Sequence, residues 1–209
     1  MAKDSARDST TIYLVEHGET PGDGTPAEKL HGWNGDGITD AGKEKLAATV
    51  EYLRDKNIGE TYSSDLPRAV QTANLIHDGL GVTKPNTERM GLRPMNVGTL
   101  AGMRKDEVQQ QLTDAKSRPW SKLPGGESYG KFLGRFGQEL HRTIQEALGE
   151  EYNCVYVTHS HNLGALAHLL SGGTAPARLD GPVGSGGVIA LHVSDGGGRV
   201  SMEPVLHEK

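Results

Sequence analysis

Apolar and polar positions along the chain fall into two rhythms. The runs TIYLV (11–15) and CVYVTH (154–159) are short, unbroken and rich in β-branched residues. Runs of that length without alternation predict strands buried on both faces of a sheet. ETYSS (60–64) predicts a shorter strand. GVIALHV (187–193) and GRVSMEPVL (198–206) flank the turn SDGGG and predict a hairpin at the end of the sheet. Helical spacing fills the intervals. A helix is predicted over 39–57, capped by Thr39 or Asp40, with Leu46, Val50 and Leu53 on one face. Another covers 65–81, with Pro67 in its first turn and Gly79 or Gly81 ending it. Residues 105–116 predict a short helix and 162–173 one closed by glycines. The longest stripe, from Tyr129 through Phe132, Phe136, Leu140 and Ile144 to Leu148, predicts a helix over 128–149. Gly130, Gly134 and Gly137 interrupt it, which suggests close packing there. Segments 82–103 and 118–128 are irregular, and 21–38 is a long loop crowded with Gly, Pro, Asn and Asp. A loop that long in a compact domain is usually functional.

Strands alternating with helices predict an α/β fold: a three-layer α/β/α sandwich on a mostly parallel sheet, as one domain over 11–209 behind a flexible arm, 1–10. Such sheets bind ligands at the carboxyl ends of their strands. His17 and His159 both sit at such ends.

Composition changes this picture little. The net charge of −5 gives no general attraction to nucleic acid or to an acidic membrane surface. No apolar run approaches the ~18 residues of a membrane span, and the polar start MAKDSARDST has no apolar core like a signal peptide's. The lone Cys154 lies inside an apolar run, reads as a small buried hydrophobe, and suits a reducing compartment. The expectation is a cytoplasmic protein.

The candidate chemistry is that of anions. His17, followed by Gly18, is placed to present a ring nitrogen to a pocket if the glycine lets the chain turn tightly. Arg68 lies near a helix start, where anions are favoured and its guanidinium offers a fork to phosphate; a surface pair with Asp65 is the bland alternative. The turn at His159, Ser160 and His161 leaves backbone N–H groups at 160–162 for an oxyanion. Trp33 suits either a substrate mouth or packing of its loop.

The segments LVEHGET, LHGWNGDGITDAGKEKL, YSSDLPRAVQTA, GGES and VYVTHS occur in this order. Together they resemble the histidine phosphatase superfamily, the phosphoglycerate-mutase-like proteins, over roughly residues 11 to 170. The resemblance implies that His17 is the nucleophile that becomes a phosphohistidine. It implies that Arg68 and His159 hold the phosphoryl oxygens, that Thr20 and the backbone at Ser160 add donors, and that water then releases phosphate without a metal or cofactor.

Three positions depart from the family pattern. Glu16 stands where the first motif carries arginine, Asp23 roughly where an asparagine is frequent, and Pro94 where many members carry the acid that protonates the leaving group. Asn96 replaces a second acid. Arg93 or Arg104 is a candidate replacement cation, and Glu127, Glu19 or His161 a candidate proton donor. The reading is a phosphohydrolase acting on a small phosphomonoester and weakened by Glu16 and Pro94. Its rival is a ligand-binding or regulatory protein on the same fold. A mutase fits less well, because the region after Arg68 lacks that branch's longer insert.

Overall fold

The computed structural model describes residues 9–175, 181–194 and 199–206. Its first strand, β1 (Ser9–Glu16), is central in a six-stranded sheet of order β3-β2-β4-β1-β5-β6. The other strands are β2 (Ile58–Ser63), β3 (Thr87–Glu88), β4 (Asn153–Thr158), β5 (Val188–Ser194) and β6 (Arg199–Leu206). β1, β2, β3 and β4 run parallel, whereas β5 is antiparallel to both β1 and β6. The sheet is therefore mixed, with the expected hairpin strands forming one edge; the SDGGG turn itself lies outside the described residues apart from Ser194. β1 begins at Ser9, two residues inside the segment expected to be an arm, because Ser9 and Thr10 pair with Ser194 and Val193. β3 was not foreseen: two exposed residues, Thr87 and Glu88, carry no apolar signal.

Alternation along β1 divides the core. Ile12 and Leu14 face one layer with Phe132, Phe136 and Leu163, while Tyr13 and Val15 face the other with Leu53, Ala69 and Ile76. The second layer is built by α1 (Asp40–Leu53) and α2 (Pro67–Leu80), the first by α3 (Lys105–Ser117), α4 (Tyr129–Ala147) and α5 (Ser160–Leu170). Two apolar clusters on opposite faces of one sheet make the three-layer α/β sandwich.

The helix ends follow local chemistry. Thr39 caps α1, its hydroxyl accepting from the Gly42 N–H at 2.9 Å. Pro67 opens α2, where its missing N–H has no partner to lose. Gly81 closes it in the left-handed conformation, φ 68°. Ser128 caps α4. Of the three glycines in α4, only Gly130 is packed closely: a Cβ there would come within 2.8 Å of the Trp120 ring. α5 starts at Ser160, two residues earlier than its apolar pattern predicts, so Ser160 and His161 lie in its first turn. Cys154 is buried, as expected, and burial pushes its thiol up to about 12.

Candidate active site

Strand register brings the two histidines together. β1 and β4 pair in parallel with Glu16 opposite Thr158, and the His17 N–H continues the ladder to the Thr158 carbonyl at 3.1 Å. His17 and His159, each one residue past its strand, are therefore neighbours at the carboxyl edge. Their rings meet edge to face with centroids 5.1 Å apart.

α2 adds Arg68 from its first turn. Arg68 is only 2 % exposed. Its Nε donates to His17 Nε2 at 3.2 Å, and Nη1 and Nη2 donate to the carbonyls of Asn34 and Gly32, each at 2.9 Å. Gly32 must be glycine: φ is +56°, and a Cβ would fall 2.6 Å from a Val97 methyl. The long loop 21–38 is thus the cradle of the arginine. Burial lowers the Arg68 pKa to about 10, with Asp23 acting against that shift, so the guanidinium remains charged at neutral pH. The bland alternative is overturned, since Asp65 pairs with Arg93 at 2.5 and 2.7 Å.

The hydrogen bonds also fix the form of His17. Nδ1 donates to the Gly18 carbonyl at 2.9 Å, and Nε2 accepts from Arg68. The ring is neutral with its lone pair on Nε2. Burial first, then Arg68, lowers its pKa to about 3, against the pull of the Gly18 carbonyl and Asp23. Gly18 serves a different purpose from the one expected. It has no positive φ; a Cβ would press on Leu46 at 3.1 Å and Ile38 at 3.2 Å, and the Gly18 N–H donates to Thr72. Close packing against Ile38 and Leu46, rather than a tight turn, favours glycine here.

These groups form the wall of a cavity of about 330 Å³, together with Glu16, Asp23, His31, Pro94, Ser160 and His161. Glu16 and His17 are adjacent on an extended chain and leave it on opposite faces. The interior of the cavity is nevertheless shared by both. Its rim carries Lys29, Lys45 and Lys105; Glu19 pairs with Lys45 at 2.6 Å, and Glu28 pairs with Lys105. Asp23, whose alignment the loop length obscured, is in the wall. Burial works to raise its pKa, but the His31 ring 3.8 Å away and hydrogen bonds from the Thr20 N–H and hydroxyl hold it at about 2.

Several expected residues sit elsewhere. Thr20 is fully buried and directs its hydroxyl to Asp23 Oδ2 at 2.8 Å, so it braces Asp23 instead of lining the cavity. Glu127 is outside the lining, holding Arg135 and the Asn96 N–H, each at 2.8 Å. Arg93 is committed to Asp65 and to the Trp33 ring, and Arg104 to Asp106; neither lines the cavity. Trp33 donates to the Pro94 carbonyl at 2.8 Å and packs the loop without lining the cavity. The N–H of Asn162 is taken by the His159 carbonyl, so the oxyanion donors expected over 160–162 are reduced at that position. His31 and the rim lysines were missed. His31 was legible only as part of a loop flagged for its length, and Lys105 carried no local signal beyond its place at the start of α3. Among the described residues, no three His, Cys, Asp or Glu side chains gather as a metal-binding group.

The model of the histidine phosphatase superfamily (branch 1) matches residues 12–203. The chain belongs to the histidine phosphatase superfamily. A curated relative, "Probable phosphoglycerate mutase GpmB" of Yersinia pestis (strain Pestoides F), is 28 % identical over 174 residues, covering 80 % of this chain and 77 % of the relative. A phosphoglycerate mutase from Bacillus anthracis str. Sterne matches this superfamily member in fold with a TM-score of 0.78 at 22 % identity, covering 96 % of this chain and 94 % of the other. The mycobacterial glucosyl-3-phosphoglycerate phosphatase does so at 0.75 and 19 %, covering 96 % of this chain and all (100 %) of the other. The match includes the mixed sheet and the helices on its two faces. Among the described residues, no helix is long and apolar enough to cross a membrane.

The site sets a pH limit on stability. His17, His159 and His161 are all buried, and burial is the first cause of a lowered pKa in each: to about 3, to well below the ordinary value, and to about 4. A depressed pKa makes the native ring refuse a proton that the unfolded chain accepts. The stability these rings contribute is complete above about pH 6.5 and is lost as pH falls toward 4. Each is worth roughly 1.4 kcal/mol per pH unit at most in that window. Urea midpoints measured from pH 7 to pH 4 should fall steeply, and the slope should flatten in His161→Gln.

Proposed function

We propose that this protein is a phosphohydrolase for a small phosphomonoester and works through a phosphohistidine at His17. One observation carries the reading: His17 is neutral, its Nδ1 proton is pinned to the Gly18 carbonyl, and Nε2 meets the Arg68 guanidinium beside His159. The lone pair on Nε2 attacks phosphorus, the bond to the leaving oxygen breaks, and Arg68 with its charge opposes the charge building on the phosphoryl oxygens. His159 and the start of α5 at Ser160 stand on the other side of the phosphoryl position. Water then attacks the phosphohistidine, and the electron pair returns to Nε2. Membership of a superfamily whose solved members include phosphatases supports this chemistry.

Two wall residues favour the rival reading of a binding protein. Glu16 brings a carboxylate to the cavity, and Pro94 has no proton to give. The two readings differ on whether a substitution at Glu16 yields a faster enzyme. Hydrolysis of 4-nitrophenyl phosphate should be slow in the parent and rise about 10²-fold in Glu16→Arg, the usual worth of one oxyanion donor, with Glu16→Gln between. If the parent and both variants are inert, catalysis is the wrong reading and the binding protein takes its place.

A further inference from the structure

The cavity lacks the acid that its chemistry requires. An alkoxide leaves an alkyl phosphate only with a proton, and Pro94 has none. The wall residues available for the task are quickly reduced. Asp23 is held ionised, Glu19 and Glu28 are paired with Lys45 and Lys105, and His31 Nε2 lies 3.0 Å from the Thr20 hydroxyl that it meets. His17 and His159 face the phosphoryl group.

His161 is left. It is in the first turn of α5, two residues after His159, and forms part of the same wall. Its ring packs edge-on to Phe132, 6.4 Å between centroids. Nδ1 is sealed from solvent without a hydrogen-bond partner, so Nε2 is the nitrogen available to the cavity. We infer that His161 is the proton donor to the leaving oxygen and takes the place of the family's missing acid. This inference rests on the phosphohydrolase reading above.

The step balances. His17 Nε2 forms the bond to phosphorus, the bond to the leaving oxygen breaks, and that oxygen takes the Nε2 proton of His161 as the alcohol departs. Neutral His161 then removes a proton from the water that attacks the phosphohistidine. Phosphate takes that proton back from His161 and leaves as the monoanion, and both histidines return to the neutral forms they have in the empty cavity. The donor needs its proton at the start. In the empty cavity burial, then Lys105 and Lys116 from α3 and Arg68 from α2, keep His161 neutral, with a pKa of about 4. A phosphomonoester monoanion brings the missing proton with it, and its negative charge offsets the three cations. Turnover is therefore confined to the acid side, where that monoanion exists.

The test compares two esters that differ in their need for a proton. 2,4-Dinitrophenyl phosphate has a leaving group that departs as an anion; 2-glycerophosphate does not. In His161→Gln the loss of kcat on 2-glycerophosphate should exceed the loss on the dinitrophenyl ester by about 10²-fold or more, within the usual range for a general acid. Pro94→Glu placed in that background should recover the alkyl ester selectively. Equal losses on the two esters, in a variant whose urea midpoint shows it folded, overturn the inference and leave the phosphohydrolase reading standing. His161→Asn repeats the comparison, so that misfolding of one variant does not decide it. A parent inert on both esters overturns the reading and the inference together.

Discussion

His17→Ala is expected to lower aryl phosphate hydrolysis by roughly 10⁴–10⁶-fold, as removal of a covalent nucleophile does. The reason is geometric. Of the two histidines at this edge, His17 offers a lone pair whose direction is set from both ends, by the Gly18 carbonyl on Nδ1 and the Arg68 Nε on Nε2. His159 is close but enclosed, with neither ring nitrogen hydrogen-bonded among the described residues, and it has no such orienting pair. The measurement is kcat on 4-nitrophenyl phosphate beside trapping of an acid-labile phosphoprotein. Loss of both signals together marks His17 as the carrier. A variant within tenfold of the parent would sink the covalent route.

Arg68→Lys is the second large effect, and it separates charge from shape. Lysine keeps the charge but not the fork, and the fork is fully used: one edge on His17 and two nitrogens on the carbonyls of Asn34 and Gly32. The expected loss is about 10²–10³ in kcat, as for a preorganised donor, because the N–H that orients His17 is gone. Stability falls as well, by roughly 1–3 kcal/mol for each buried carbonyl left without its donor. Steady-state kinetics and urea midpoints on the same preparation read both. A large kinetic loss with an unchanged midpoint would mean that the loop 21–38 does not depend on Arg68.

Much of this arrangement was legible in the chain. The apolar runs gave the central strands because a strand buried on both faces has no polar side to show. The caps were legible because Thr39, Pro67 and Gly81 act through their own backbone neighbourhoods. The layer order followed, and with it the placing of His17 and His159 at one edge. What failed to show itself was side-chain destination. Asp65 is three residues from Arg68 yet pairs with Arg93, because Arg68 turns inward to the loop. Thr20 bonds Asp23 and His31 instead of the cavity, and Glu127 bonds Arg135, partners fixed by loops whose course no local pattern encodes. Gly18 looked like a turn residue and proved to be a packing contact with α1. Glu16 raised the question of sign, and period-two geometry answered part of it. Glu16 and His17 leave the strand in opposite directions, so the carboxylate and the His17 ring share a cavity without sharing a face.

The strand order has a consequence for how the chain acquires its site. β1 emerges first in synthesis, yet its two neighbours in the sheet are β4 and β5, some 140 and 180 residues later. Until they arrive, the apolar strand that leads into His17 has no partner on either side. Contacts of such sequence separation form slowly and leave sticky edges open meanwhile. The edge that holds His17 and His159 is thus closed only after β4 and β5 are made, and β1 waits through that interval in need of shelter.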